Sequence, residues 1–169
     1  NESMPSLVGS DMCIRDRCEE GEKLAILCKF LKTQHKNRGV VFCKTKAVAI
    51  KLSKQLISKN ISADAIHGDL KQIERDKVMR AFKNESLQIL VATDLAARGI
   101  DIEALSYVVH YTLPDKAEYY THRSGRTARA GRNGLSLSLV TSKELKSLRF
   151  FEKELTLNLN PVSYTHLRA

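Results

Sequence analysis

The run HRSGRTARAGR, residues 122–132, concentrates positive charge at a regular spacing. Arginine recurs there at every third position, as Arg123, Arg126, Arg129 and Arg132. The guanidinium group is permanently charged, and its planar donor fork matches pairs of phosphate oxygens. Guanidinium groups this close repel one another unless an anion or carboxylates lie among them. An ordinary charge run would be a solvated basic face, but the fixed spacing and the interleaved glycines favour a site for a phosphate-containing ligand.

A second polar stretch, ATDLAARGID at residues 92–101, combines acidic, basic and glycine residues. Asp101 is a candidate carboxylate among the arginines, and an acidic residue after a strand also suits ribose hydroxyls. Arg98 and Gly99 would place a cation and an unhindered backbone amide beside the same ligand. Thr93 and Asp94 could instead cap the turn that follows the strand. The capping role and the binding role can coexist.

The third stretch begins with HGD at residues 67–69 and runs into a predicted helix. Gln72 and Arg75 are three positions apart and so share one helix face. The free amides of a helix start can bind an anion, and Arg75 would reinforce that binding. The alternative for Arg75 is a surface ion pair of little energetic value. His67 alone is more typical of a hydrogen-bonding residue at a strand end than of a catalyst.

Short apolar runs alternate with helical patterns along the chain, which predicts a parallel sheet wrapped by helices. The predicted strands are Gly39–Cys43, Ala63–His67, Leu87–Ala92, Tyr107–Tyr111 and a run from Leu135 to Leu139. The predicted helices cover about residues 20–35, 48–60 and 71–83, a segment from about Lys116, and a segment after a capping box of Thr141 and Glu144. In the Leu135 to Leu139 run, leucines alternate with serines, so one face of that strand is expected to be less apolar.

The predicted fold class is α/β, a single open, mostly parallel sheet with helices on both faces. In such sheets ligands lie at the carboxyl ends of the strands. The HGD stretch follows the second predicted strand, the 92–101 stretch follows the third, and the arginine run lies beyond the fourth. Placement and chemistry therefore point to the same edge of the sheet.

Size and charge are those of one globular domain with an anionic partner. The chain has 169 residues and a formal net charge of +9, which favours nucleic acid or nucleotide as the partner. Its four cysteines lack the spacing of a zinc site, so no metal site is predicted and a reduced, cytoplasmic protein is expected. No apolar run approaches the roughly 18 residues of a membrane span, so no membrane association is expected.

Residues 1–17 and 159–169 show no clear helical or strand period and are expected to be a non-native or disordered leader and tail. Native but irregular termini are the alternative. The predicted domain is therefore residues 18–158. Because no initiator methionine begins the chain, we expect a fragment of a longer protein.

Several nucleotide-binding motifs are absent from the sequence. It contains neither a G-x-x-x-x-G-K-[ST] phosphate loop nor an acidic cluster after a strand for magnesium. A G-x-G-x-x-G dinucleotide fingerprint is also missing. By itself the chain lacks the parts that normally hold a nucleoside triphosphate.

From about Glu20 to Leu155 the sequence resembles the C-terminal half of DEAD-box ATP-dependent RNA helicases. VVFCKTK at residues 40–46 is similar to the fourth family motif, and AIHGDLKQIERDKVMRAF carries its HGD and Q-x-x-R elements. ATDLAARGID is similar to the fifth motif and HRSGRTARAGR to the sixth. The resemblance implies a RecA-like domain, with the phosphate loop and the Mg²⁺-binding carboxylates on a preceding RecA-like domain and ATP between the two halves.

The resemblance also implies roles for residues at the nucleotide. Arg126 and Arg129 correspond to arginine fingers that reach the γ-phosphate, and His122 corresponds to a contact with the N-terminal domain. Gly99 and Asp101 correspond to nucleotide contacts. Arg123 is expected to brace the motif internally, and Arg132 to be structural or electrostatic.

For RNA, the resemblance implies contacts with the sugar-phosphate backbone of one strand. The corresponding positions are Thr45, Gly68, Asp69, Gln72, Arg75, Thr93 and Arg98. Backbone contacts position a strand without reading its sequence, and preference for RNA would need contacts to 2′-hydroxyls. ATP would close the cleft, the two halves would bend one strand, and hydrolysis would reopen the cleft.

Two positions depart from the commonest family pattern. Ser124 replaces an Ile or Val and would lose apolar packing between motif and sheet. Ala128 replaces a frequent Gly and disfavours a positive φ. Neither change removes a functional side chain.

Three other functions remain open: a non-catalytic nucleic-acid-binding module, half of a related DNA helicase, and a small-molecule Rossmann enzyme, which fits least well. An upstream phosphate loop would argue against the non-catalytic module. Competition binding of matched single-stranded RNA and DNA would test the DNA helicase. On the helicase hypothesis, this fragment alone should hydrolyse no ATP.

Overall fold

The computed structural model describes residues 11–98, 102, 105–127 and 134–163. The strands are β1 Asp11–Arg17, β2 Gly39–Cys43, β3 Ala63–Ile66, β4 Ile89–Thr93, β5 Tyr107–His110, β6 Gly134–Val140 and β7 Asn160–Pro161. The helices are α1 Lys23–Thr33, α2 Lys46–Ser58, α3 Gln72–Lys83, α4 Asp94–Ala97, α5 Ala117–Ser124 and α6 Leu145–Glu154, with a 3-10 turn at Glu20–Glu22. None of the helices in these ranges is long and apolar enough to cross a membrane.

The strands form one open sheet in the order β3-β4-β2-β5-β6-β1-β7, and every pairing is parallel. The α/β prediction is confirmed. Because all strands run the same way, their carboxyl ends meet at one edge of the sheet, where the three polar stretches come together.

Both faces of the central strands are buried, as expected of a parallel sheet. In β2, Val41 and Cys43 join a core cluster with residues of α1 and α2. Val40 and Phe42 join the opposite cluster with residues of α3 and α4. Alternate side chains of a strand point to opposite faces, so the continuous apolar run is explained by a layer of helices on each side.

The expectation for residues 11–17 needs correction, because this segment is part of the sheet. It forms β1, which pairs with β6 over its whole length and with β7 at Ile14 and Arg15. Ile14, Asp16 and Cys18 are all buried. The strand has no simple period because it lies between two others and is covered on both faces. In the tail, Leu159 is buried and Asn160–Pro161 form β7, so the domain boundaries at 18 and 158 exclude ordered residues at both ends.

Glu144 joins the start of α6 to the segment that follows β5. Its carboxylate accepts from Thr141 N (3.3 Å), Leu113 N (3.1 Å) and the buried Lys23 Nζ (2.8 Å). Lys23 Nζ also donates to Tyr111 O at 2.8 Å. Burial raises the pKa of Glu144, but these hydrogen bonds and the Lys23 charge outweigh burial and lower it. One half of the predicted capping box, Thr141 N to Glu144, is therefore present and also holds the segment after β5 in place.

Candidate functional site

The carboxyl edge of the sheet contains a cavity of about 440 Å³. It is lined by Lys44, Lys46, Gly68, Asp69, Thr93, Asp94, Leu95, Arg98 and Tyr119. Four of the seven predicted RNA-binding residues are thus brought together by strands β2, β3 and β4. An added Cβ at Gly68 would meet no atom within 4 Å, so this part of the lining is open to a ligand.

Asp69 is paired with Lys46, which is not among the predicted RNA-binding residues. Lys46 Nζ donates to Asp69 Oδ2, and both side chains are exposed. The hydrogen bond and charge of Lys46 lower the pKa of Asp69. Lys46 begins α2, shortly after β2. Its place in the VVFCKTK motif is the sequence feature from which it could have been predicted as a site residue.

Thr45 and Thr93 occupy equivalent places, each capping the helix that follows its strand. Thr45 Oγ1 accepts from Val48 N at 3.3 Å, and Thr93 Oγ1 accepts from Ala96 N at 3.4 Å. The predicted capping role of Thr93 is confirmed. Thr45 lies outside the 440 Å³ cavity and lines a neighbouring one with Lys44 and Thr112.

The remaining predicted residues of the HGD stretch make local hydrogen bonds. Gln72 Nε2 donates to Asp76 Oδ1 at 2.8 Å on α3. Asp69 N donates to His67 Nδ1 at 3.3 Å, the strand-end role expected of His67. Arg75 donates to the Ala96 carbonyl at 3.2 Å rather than forming a surface ion pair.

Arg123 braces the site from inside the domain, as expected. It is 1% exposed, and its Nε and Nη2 donate to the two carboxylate oxygens of Asp94 at 2.6 and 2.7 Å. Its Nη1 donates to Thr112 O at 2.7 Å, and its guanidinium lies 5.2 Å from the centre of the Phe42 ring. Asp94 is therefore the carboxylate partner of Arg123. Asp101, which the sequence suggested as a carboxylate among the arginines, lies outside the described residues.

Arg126 and His122 lie beside a second, smaller cavity of about 70 Å³. Arg98, Tyr119, Asp94 and Ala97 also line it. Arg126 Nη2 donates to Ala97 O at 3.1 Å, one residue beyond the carbonyl that Arg75 contacts. Arg75 and Arg126 thus donate to consecutive carbonyls at the end of α4.

Several predicted residues lie outside the described part of the chain. They are Gly99, Asp101, Ala128, Arg129 and Arg132. Their predicted roles stay predictions.

Ser124 is packed by polar partners instead of the apolar contacts expected at that position. It is fully buried, and its Oγ lies 3.1 Å from His110 Nε2 and 3.2 Å from Ser136 Oγ. His110 stacks on Tyr120, whose hydroxyl lies 2.9 Å from Ser138 Oγ. The less apolar serine face of β6 is therefore buried, with its hydroxyl groups and His110 Nε2 within hydrogen-bond distance of one another, whereas the buried His110 Nδ1 has no hydrogen-bond partner among the described residues.

Burial in this cluster, with the charge of Arg123, holds the pKa of His110 well below its ordinary value. The folded state keeps His110 neutral, whereas the unfolded chain protonates it near pH 6.5. We therefore expect the free energy of unfolding to fall as the pH is lowered below that value, with His110 contributing on the order of 1 kcal/mol at pH 5.5. The free energy of unfolding of the H110N variant, measured with urea between pH 7.5 and about 5.5, should depend less on pH than that of the parent protein.

The matched control is H35N, which makes the same His-to-Asn change at an exposed position. An H110N variant with the pH dependence of the parent protein would contradict the role of His110.

No disulfide joins the four cysteines. Burial raises the pKa of Cys43 to about 12 and that of Cys18 to about 11. Within the described ranges, no group of three or more His, Cys, Asp or Glu side chains could hold a metal ion.

Comparison with known proteins agrees with the geometry. Residues 22–131 match the family described as the helicase conserved C-terminal domain. ATP-dependent RNA helicase CshA of Limosilactobacillus reuteri is 42% identical over 146 residues, which cover 86% of this chain and 29% of that protein. The chain thus spans less than a third of that relative's length.

Two solved structures share the fold. A DEAD box protein from Methanococcus jannaschii matches with a TM-score of 0.86 and 40% identity, over 91% of this chain and 42% of that one. S. cerevisiae Dbp5 bound to RNA and ADP BeF3 matches with a TM-score of 0.85 and 30% identity, over 90% of this chain and 41% of that one. From the parallel sheet, the motifs at its carboxyl edge and these matches, we conclude that the chain belongs to the helicase C-terminal domain family of the DEAD-box RNA helicases.

Proposed function

We propose that this chain supplies the C-terminal half of an ATP-dependent RNA helicase. With an N-terminal RecA-like half, it would couple ATP binding and hydrolysis to local unwinding of RNA duplexes. The observation that carries the proposal is the pair of cavities on one sheet edge, which share Asp94, Arg98 and Tyr119 as a common wall.

The larger cavity suits the backbone of a nucleic-acid strand. Lys44, Lys46 and Arg98 supply positive charge, and Gly68 leaves space beside them. Such contacts hold phosphates without reading bases. The solved Dbp5 complex with RNA and ADP BeF3 supports RNA as the strand, since that protein shares the fold.

The smaller cavity suits the edge of a nucleotide held mainly by another domain. Arg126 is half-buried there and His122 is exposed, as expected of a finger and of a residue at a domain interface. ATP would bring Mg²⁺ with it, and we assign the magnesium ligands to the N-terminal half. Arg129, Gly99 and Asp101 complete the proposed nucleotide contacts. The lack of disulfides among the four cysteines supports the proposed cytoplasmic location.

The proposal is tested by measuring ATP hydrolysis with and without RNA, for the chain alone and for the protein that carries both halves. We expect hydrolysis only when both halves are present, with stimulation by single-stranded RNA. Robust hydrolysis by the chain alone would overturn the two-half arrangement. Absence of hydrolysis in the two-half protein would favour a non-catalytic nucleic-acid-binding module. Equal competition by matched single-stranded DNA would favour the DNA helicase.

A further inference from the structure

Tyr119 lies in the wall between the two cavities, although it belongs to none of the motifs that predict the site. It is in the first turns of α5, three residues before His122, and residues three apart share a helix face. It lines the larger cavity with Thr93 and Gly68 and the smaller one with His122 and Arg126. The ring is half-buried, so one part is fixed by the domain and another faces the cavities.

Two cations lie against this ring. The guanidinium carbon of Arg98 is 5.2 Å from the ring centre, and Lys116 Nζ is 6.0 Å from it. A cation in this position is attracted by the negative face of the ring. Within the described ranges, the Arg98 guanidinium forms no ion pair or hydrogen bond, and it contacts the Tyr119 ring.

The contact would matter because Arg98 is exposed and follows directly after α4. A long exposed arginine samples many rotamers, and ordering it costs conformational entropy. A guanidinium that stacks on an aromatic ring contacts the ring with its flat face. The N–H donors at the edge of the guanidinium therefore stay available to phosphate oxygens. The ring therefore pre-orders a phosphate-binding group at the boundary of the larger cavity.

We propose that Tyr119 is a positioning residue for RNA binding, which holds Arg98 toward a backbone phosphate in the larger cavity. The proposal rests on the proposed function, because it assumes that RNA occupies that cavity. Tyr119 acts through Arg98 and does not need to touch RNA itself.

The test measures binding of a fluorescent oligouridylate to the two-half protein with a non-hydrolysable ATP analogue, at several salt concentrations. The R98A variant should bind about tenfold more weakly. The slope of log affinity against log salt concentration for R98A should be smaller in magnitude than that of the parent protein by about 0.7, the value for one phosphate contact on a single strand. The Y119L variant should lose about two- to fivefold in affinity and part of the same slope, whereas Y119F keeps the ring and should bind like the parent protein.

The double variant Y119L/R98A should bind no more weakly than R98A, because the ring acts through the arginine. F150L is the matched control, since Phe150 is an exposed aromatic residue on α6, and its binding should be unchanged. Thermal unfolding of each variant identifies loss of folding, and Y119Q replaces Y119L if the latter is unfolded.

Two results would overturn the proposal. If Y119L weakens binding additively with R98A and leaves the salt slope unchanged, the ring contacts RNA directly. If Y119L binds like the parent protein while R98A is weak, the ring does not position Arg98. Absence of RNA binding by the parent protein would instead refute the proposed function, and this inference would fail with it.

Discussion

Replacement of Arg126 by alanine is expected to lower RNA-stimulated ATP hydrolysis by about 10³- to 10⁵-fold in the two-half protein. The guanidinium lies beside the smaller cavity with His122 and donates to Ala97 O at 3.1 Å. This position is at the sheet edge where the other half would present the nucleotide. A finger stabilises charge that develops on the transferred phosphoryl group, so its loss should act mainly on kcat.

The measurement is steady-state hydrolysis at saturating ATP and RNA, accompanied by ATP-binding measurements. R126K tests geometry, because lysine keeps the charge but loses the planar fork. R149A is the matched control, since Arg149 is exposed on α6, and its turnover should match that of the parent protein. Near-normal turnover in R126A would refute the finger assignment.

Replacement of Asp94 by alanine is expected to destabilise the domain by about 3–5 kcal/mol. Asp94 accepts two hydrogen bonds from Arg123, whose side chain is 1% exposed. The alanine variant leaves a buried guanidinium without its carboxylate, and the charge cannot be removed because arginine does not deprotonate in proteins. The loss is a large part of the about 5–15 kcal/mol that stabilises an ordinary domain.

Urea unfolding of D94A, R123M and the double variant measures the effect. The double variant should be more stable than the sum of the single losses implies, since it removes both charges together. The control is D115N, which breaks the Lys44–Asp115 pair of similar length, 2.7 Å, but with side chains 52% and 67% exposed. That pair should contribute less than about 1 kcal/mol. A similar loss in D94A and D115N would contradict the argument from burial.

The short helix α4 gives a physical reason why RNA and nucleotide sites would communicate. Its first residue, Asp94, is held by Arg123, and its last two carbonyls are held by Arg75 and Arg126. Arg75 belongs to the proposed RNA side and Arg126 to the proposed nucleotide side. A shift of α4 on either side would therefore change the contacts on the other.

The order of strands and helices could be predicted from the sequence where local patterns are strong. The continuous apolar run of β2 has the bounds Gly39–Cys43 in both prediction and structure. The capping role of Thr93 was also predictable, because a threonine between a strand and a helix bonds to nearby amides. β1 could not be predicted, since its burial depends on β6 and β7, which lie far away in sequence.

The types and order of residues by themselves determined the family motifs, the parallel sheet and the edge where ligands would bind, because these depend on short spacings and periodicity. The tertiary structure alone decided which partners those residues take. It paired Arg123 with Asp94, placed Ser124 against His110, and brought Tyr119 beside Arg98. The residues of each pair are 14 to 29 positions apart in the sequence. Such contacts arise only when strands and helices pack side by side.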